Sequence, residues 1–167
     1  YNTLTKGGSC SDQAKAVAQT ILSAEQDGSV SHGLFRLPSY FNSLRSGKVN
    51  LNPNPSLDKE TKAVLKCDGD RSFAPLIHKL YLNELIKSTK EIGIGVLSIQ
   101  RVAHFSSLWP ETETLAENGL IGIACTSYLP VVSPFGASEK LFGTNPISFA
   151  CQEKMNIQLF LIWLHHL

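Results

Sequence analysis

The segment "IGVLSIQRVAHFSSLWP", residues 94–110, decides the fold. Its first part, "IGVLSIQ" at 94–100, is a short and mostly apolar run, which predicts a buried strand of a parallel sheet. Its last part, "HFSSLWP" at 104–110, places a histidine, two serines and a tryptophan just beyond that strand. Ligands of α/β proteins commonly bind beyond the carboxyl ends of strands. His104 is therefore a candidate ligand residue, and a histidine that only caps the strand is the alternative.

The sequence on either side of this segment predicts alternating helices and strands. Apolar spacing and turn residues give, in chain order, a helix over 11–27, a helix from Pro38 in its first turn to Gly47, a loop over 50–58, a strand over 61–67, a turn at "DGD" 68–70, a helix over 75–92, the strand at 94–100, a helix over 110–117, a second buried strand over 120–127 and a long irregular stretch over 128–146. Helical spacing is followed in the first helix by the apolar residues Ala14, Val17, Ala18, Ile21 and Leu22. In the helix over 75–92 the residues expected to face inward are Leu76, Ile77, Leu80, Leu85 and Ile86. A loop as long as the stretch over 128–146 is usually functional in a compact domain.

Composition and charge exclude several classes of protein. The 167 residues are 43% hydrophobic and 17% charged, as in a globular chain, and 15 Lys and Arg balance 14 Asp and Glu. We therefore expect neither nucleic acid nor a membrane as a partner. The four cysteines form no C-x-x-C pair, which predicts reduced thiols and no metal site. Without an apolar leader, and with the longest apolar run only at 157–164, the chain is expected in the cytoplasm.

Candidate chemical groups cluster in "SHGLFR", residues 31–36. On one helical turn His32 and Arg36 would share a face. Histidine is the usual proton donor near neutral pH, and arginine is the usual bidentate clamp for a carboxylate. Together with Ser31 they could bind and protonate a small acid. A capping serine, a surface histidine and a solvated arginine are the alternative.

Two other motifs have less specific interpretations. Gly93-Ile94-Gly95 lacks the third glycine of a dinucleotide fingerprint and precedes its strand, so these glycines are expected to end a helix. In "FGTNP", residues 142–146, Gly143 and Pro146 favour a tight turn that displays Thr144. An ordinary Asx-turn without a ligand is the alternative there.

Four motifs in order resemble one family: "AEQDGSVSHGLFRLPSYFNSLRSGKV", "HFSSLWP", "NGLIGIACTS" and "PVVSPFGASEKLFGTNPISFA". They resemble the type-2 malate/L-lactate dehydrogenase family of NAD(P)-dependent oxidoreductases, which lack a Rossmann fold. The tryptophan and proline of "HFSSLWP" look most like the branch that reduces Δ1-piperideine-2-carboxylate and Δ1-pyrroline-2-carboxylate. The resemblance covers residues from about 5 to 151. It implies an α/β, non-Rossmann fold with N-terminal helices and a mixed sheet, here incomplete.

The resemblance also implies roles for particular residues. Ser31 matches a relay serine, His32 a proton donor, Arg36 the arginine that binds the substrate carboxylate and Thr144 a threonine that contacts substrate. The residues that match the cofactor-lining segment are His104, Phe105, Ser106, Ser107 and Leu108. The implied cofactor is NADPH, with NADH as the alternative. A small-molecule carboxylate is the implied substrate, and intact relatives are implied to be homodimers.

The end of the chain departs from the family pattern. The resemblance implies an N-terminal helical, substrate-side region over 1–70, the start of the NAD(P)-binding domain over 71–151 and an aberrant tail over 152–167. An aspartate that the family supplies to the relay is missing from "CQEKMNIQLFLIWLHHL". Regrouping codons for "IQLFLIWLHHL" from the third base permits "PIVFDLATSS", so we hypothesise a C-terminally truncated, frameshifted reductase whose apolar tail lacks a partner sheet. A 2-hydroxy-acid dehydrogenase and an inactive remnant are the alternative functions.

Overall fold

A computed structural model describes residues 1–103, 107–153 and 156–162. The helices are α1 Asn2–Lys6, α2 Ser11–Gln26, α3 Leu37–Arg45, α4 Ala74–Ile92 and α5 Trp109–Glu117. The strands are β1 Ser56–Lys59, β2 Val64–Phe73, β3 Val96–Ala103, β4 Gly122–Cys125, β5 Ile147–Glu153 and β6 Asn156–Ile162. The chain divides into two compact units, Tyr1–Ser107 and Leu108–Leu167.

The first unit packs helices on a mixed sheet. Its strands follow the order β1-β2-β3, with β1 antiparallel and β3 parallel to β2. The core joins α1, α2, α3 and the end of β2; its buried members are Leu4, Ala14, Val17, Ile21, Tyr40, Leu44, Val49 and Phe73. The rings of Tyr40 and Phe73 meet edge to face, with centroids 4.9 Å apart. This core holds the end of α2 in place, and the candidate site lies in the chain directly after that end.

The second unit packs α5 on an antiparallel sheet of order β4-β5-β6. The buried hydroxyl groups of Thr112 and Ser148 join α5 to β5 by a 2.8 Å hydrogen bond. Residues 126–146 connect β4 to β5 without forming a helix or a strand, and one bridge between Val132 and Phe142 pinches this loop. The predicted irregular stretch over 128–146 is therefore confirmed.

The four main predicted helices are confirmed at α2, α3, α4 and α5. Pro38 lies in the first turn of α3, where its missing N–H has no helical partner to lose. Gly93 ends α4 with φ of 94°, and Gly47 follows α3 with φ of 72°, so both use the left-handed conformation that favours glycine. Helix boundaries could thus be read from local residue types alone.

The predicted turn at 68–70 is wrong, because these residues lie inside β2. The register of β2 against β3 shifts between Asp68 and Ser72, and Asp70 and Arg71 adopt φ of 47° and 57°. The Asp68 carboxylate accepts a hydrogen bond from the Asp70 N–H. The Asp-Gly-Asp signal therefore produces a bulge, since pairing with β3 resumes on its far side.

Other expectations about burial and pairing are also wrong. β1 begins at Ser56, within the predicted loop over 50–58. The strands predicted as buried are half exposed: Val96 of β3 is 51% exposed and Ile123 of β4 66% exposed, because the described residues do not cover the faces that carry these side chains. Leu22 and Leu80 are exposed because the cores contact other faces of α2 and α4.

The tail was expected to lack a partner sheet, but it has one. β6 runs antiparallel to β5, and the paired residues run from Glu153 with Asn156 to Ile147 with Ile162.

The predicted regions over 1–70, 71–151 and 152–167 stay predictions, and the compact units have other bounds. The boundary after residue 70 falls within β2, whereas the chain divides after Ser107.

The four cysteines carry free thiols, and burial together with the Asp68 charge raises the pKa of Cys67 to about 11. Among the described residues, no helix has the length and apolarity needed to cross a bilayer.

Candidate active site

A tight double turn between α2 and α3 carries three of the predicted residues. Gly28, with φ of 70°, ends α2, and the Ser29 N–H then donates to the Ala24 carbonyl at 2.8 Å. Two short 3-10 turns follow, Val30–His32 and Leu34–Arg36, and lead directly into α3. The predicted single helical turn is thus two tighter turns that meet at Gly33.

His32 is held by two hydroxyl groups at one ring nitrogen. Its Nδ1 lies 3.1 Å from Ser31 Oγ and 3.2 Å from Ser29 Oγ. The ring is half-buried, whereas the Ser31 side chain is exposed. Partial burial lowers the pKa of His32, and the positive charge of Arg36 lowers it further. The imidazole is therefore a stronger acid than a solvated histidine.

Arg36 is anchored to the same turn. Its Nε donates a 2.8 Å hydrogen bond to the backbone carbonyl of Ser31. Within the described part of the chain, no ion pair joins Arg36 to a carboxylate. A guanidinium group has five N–H donors, so the bond through Nε still allows the terminal nitrogens to contact an anion.

Glu25 and Gly33 fix the path of the double turn. The Glu25 carboxylate accepts a 2.6 Å hydrogen bond from the Leu34 N–H. A Cβ at position 33 would overlap the Glu25 Oε1 atom, so glycine is required for this close approach. The carboxylate and the glycine together place His32 and Arg36 on successive turns.

Of the predicted cofactor residues, the structure describes Ser107 and Leu108; His104, Phe105 and Ser106 lie outside the described residues. Ser107 is the last residue of the first unit, and Leu108 opens the second and immediately precedes α5. Both residues are buried. The Ser107 hydroxyl has no hydrogen-bond partner among the described residues, so a bound ligand could supply one.

Thr144 lies in the second unit, half-buried in the loop before β5. The neighbouring Asn145 has φ of 39°, and its side-chain oxygen accepts a 3.0 Å hydrogen bond from the Tyr128 N–H. A Cβ on Gly143 would overlap the Tyr128 carbonyl. The Asn145 amide therefore joins two distant parts of the loop. The predicted alternative, an Asx-turn within residues 142–146, did not anticipate this contact.

The structure brings Ser31, His32 and Arg36 together in one turn of the first unit, and it places Thr144 in the second unit. Sequence reasoning missed Ser29, although a hydroxyl three residues before a histidine is a readable signal. It also missed Glu25, because nothing local indicates that a carboxylate would reach residue 34. The functional roles of the predicted residues stay predictions.

Comparison with known proteins defines the class. The chain is 40% identical over 147 residues to Delta(1)-pyrroline-2-carboxylate reductase 2 of Burkholderia multivorans, covering 88% of this chain and 43% of that protein. It is 41% identical over 148 residues to Delta(1)-pyrroline-2-carboxylate reductase of Ancylobacter novellus, covering 89% of this chain and 43% of that protein. The chain thus spans less than half the length of these curated relatives.

Solved structures share the fold. Malate dehydrogenase of Pyrococcus horikoshii OT3 superposes with a TM-score of 0.88 at 33% identity, covering 97% of this chain and 47% of that one. Sulfolactate dehydrogenase of Methanocaldococcus jannaschii gives 0.88 at 31% identity with the same coverages. The delta1-piperideine-2-carboxylate reductase of Pseudomonas syringae gives 0.85 at 31% identity, covering 97% and 49%.

These relatives are dehydrogenases and reductases, so the fold is that of a class of oxidoreductases. Residues 1–161 match the family model described as malate/L-lactate dehydrogenase, and the chain belongs to that family. The predicted family and its α/β fold, with N-terminal helices and a mixed sheet, are confirmed. The match ends at residue 161, beyond the predicted end of the resemblance at residue 151.

Proposed function

We propose that this protein acts in NADPH-dependent reduction of cyclic imino acids, converting Δ1-piperideine-2-carboxylate to L-pipecolate and Δ1-pyrroline-2-carboxylate to L-proline. The observation that carries the proposal is the hydroxyl-bound imidazole of His32 beside the guanidinium of Arg36 in one glycine-fixed turn. The names of the relatives favour this substrate class. Because the chain spans less than half the length of these relatives, its activity does not follow from their names and is itself proposed.

Arg36 binds the substrate carboxylate. The bond from its Nε to the Ser31 carbonyl orients the guanidinium plane, so little rotamer freedom is lost when an anion arrives. Thr144 would contribute a hydroxyl contact to the same acid. Such positioning of reactants can lower a barrier by several kcal/mol, up to about 7–11 in the best cases.

His32 gives a proton to the ring nitrogen of the imine. The two serine hydroxyls lie at Nδ1, so Nε2, on the other side of the ring, is the atom we assign to the transfer. Partial burial and, after it, the charge of Arg36 lower the pKa of His32 in the free protein. A carboxylate bound to Arg36 offsets that charge and favours the protonated imidazole, so substrate binding itself loads the proton donor.

The described residues fit a cofactor at one point. The buried Ser107 hydroxyl needs a hydrogen-bond partner and lies in the segment that resembles the cofactor lining. NADPH, when bound, supplies the hydride for the imine carbon. His104, Phe105, Ser106 and Leu108 complete the proposed lining, and NADH is the alternative cofactor.

The proposal is tested by NADPH oxidation with the purified 167-residue chain and with an intact relative. Turnover is expected with the two cyclic imines and not with oxaloacetate or pyruvate. His32→Ala should abolish turnover and leave NADPH binding nearly intact, and Arg36→Lys should raise KM for the imine. Arg45→Lys on the exposed side of α3 is the matched control and should change neither quantity. Loss of turnover and NADPH binding together in His32→Ala would contradict the assigned role.

A 2-hydroxy-acid dehydrogenase is the second candidate function. The fold match to malate and sulfolactate dehydrogenases favours it, and His32 would then act as the base on the hydroxyl. Turnover with a 2-oxo acid and not with the imines would select it.

The remaining assignments complete the proposal. We also propose that residues 1–70 contribute the substrate side, that residues 71–151 begin the cofactor domain, and that the whole protein acts in the cytoplasm as a homodimer. Light scattering of an intact relative tests the dimer.

A further inference from the structure

We propose that Ser29 is a positioning residue for His32, and that its hydroxyl fixes the ring tautomer from which Nε2 exchanges a proton with the substrate. Ser29 lies 3.2 Å from His32 Nδ1, almost as close as Ser31 at 3.1 Å. The consequence for turnover rests on the proposed function, whereas the effect on the ring follows from geometry alone.

The backbone holds Ser29 in place. Its N–H donates to the Ala24 carbonyl at 2.8 Å, which ties it to the last turn of α2. Its own carbonyl accepts hydrogen bonds from the N–H groups of His32, at 2.9 Å, and Gly33, at 3.1 Å. Ser29 is also half-buried, whereas Ser31 is exposed. Of the two serines, Ser29 therefore has the more rigid support.

A single imidazole nitrogen can offer one N–H or one lone pair. If His32 gives a proton from Nε2, Nδ1 must keep its hydrogen afterwards, and the hydroxyls must then accept from Nδ1–H. Because the hydroxyls of Ser29 and Ser31 share the Nδ1–H of His32, either hydroxyl alone still restrains the ring in part. Removal of Ser29 should therefore weaken the preference for this tautomer without abolishing it.

Charged groups also surround this turn. Arg36 lies on the following 3-10 turn and opposes protonation of the ring, and the Glu25 carboxylate of α2 is bound to the Leu34 N–H. A hydroxyl that accepts from Nδ1–H favours the protonated ring against Arg36. The pKa of His32 should accordingly fall further when Ser29 loses its hydroxyl.

The test uses nitrogen NMR of His32 in the 167-residue chain, with Ser29→Ala, Ser29→Thr and Ser31→Ala. Ser29→Ala should move the ring toward the tautomer without a proton on Nδ1 and lower its pKa. Ser29→Thr should retain the wild-type spectrum, because it keeps the hydroxyl. Ser46→Ala, an exposed serine at the end of α3, is the control and should leave the ring unchanged. If Ser29→Ala does not fold, Ser29→Cys replaces it, with the same direction expected.

Activity gives a second readout. In a chain with imine reductase activity, Ser29→Ala should lower kcat about tenfold and leave KM within about twofold, because Arg36 still binds the carboxylate. A His32 spectrum in Ser29→Ala or Ser29→Cys identical to wild type would overturn the proposal. The NMR result needs no turnover, so a failure of the proposed function is distinguishable from a failure of this inference.

Discussion

The Glu25 carboxylate lies against Gly33, the residue at which the two 3-10 turns of the candidate site meet, and accepts a hydrogen bond from the Leu34 N–H. A residue of α2 thereby fixes the backbone between His32 and Arg36. The contact depends on the missing side chain at position 33. This pairing allows the geometry of the site to be disturbed without changing a residue that would touch substrate.

Gly33→Ala should expel the Glu25 carboxylate and release the double turn. We expect a loss of about 1 kcal/mol in the free energy of unfolding, since the lost hydrogen bond is exposed. Urea unfolding of Gly33→Ala, Glu25→Ala and the double variant measures this. If the alanine acts by displacing Glu25, the double variant should be no less stable than Gly33→Ala. Fully additive losses would show that the two residues act independently.

Gln13→Leu should destabilise the first unit by about 3 kcal/mol. The fully buried Gln13 amide accepts a hydrogen bond from the Phe73 N–H at 2.9 Å and donates to the Asn50 carbonyl at 3.1 Å. Leucine would leave both backbone groups without this partner. Gln19→Leu on the exposed face of the same helix is the control and should change stability by less than about 0.5 kcal/mol. Equal urea midpoints for the two variants would contradict the structure.

Thr112→Val should destabilise the second unit by about 1–3 kcal/mol. The substitution preserves volume but leaves the buried Ser148 hydroxyl without its 2.8 Å partner. Adding Ser148→Ala should restore part of the loss, because the unpaired group is then removed. Thr114→Val is the control, since that hydroxyl bonds, among the described residues, only to the Pro110 carbonyl of its own helix. Tryptophan fluorescence during urea unfolding, to which Trp109 contributes, follows this unit.

The stability of the chain should depend on His32 below pH 6.5. The pKa of His32 is lowered by folding from its usual value of 6.5, so the unfolded state binds the proton more readily. Stability due to this group is therefore complete above pH 6.5 and falls as the pH drops toward the folded pKa. Thermal midpoints of wild type and His32→Gln should diverge as the pH is lowered through this range, with wild type losing more. Parallel curves would show that folding leaves this pKa unchanged.

Local signals predicted the helices of this chain well. Pro38, Gly47 and Gly93 mark helix ends because their backbone constraints act within one or two residues. The same kind of signal failed at Asp68–Asp70, where it gave a bulge in place of a turn. The left-handed backbone falls on Asp70 and Arg71, and only the continued pairing with β3 determined that the chain bulges there and does not reverse.

The sequence by itself determined the family, the helices and the residues available for chemistry in the turn at 31–36, because these depend on residue type and short spacing. The tertiary structure decided which carboxylate supports the turn and which strands stand at sheet edges. Such contacts join residues up to 60 positions apart, as in the bond from Phe73 to Gln13. Hydrogen bonds of this span depend on how whole elements pack, and periodicity along one element carries no information about its partners.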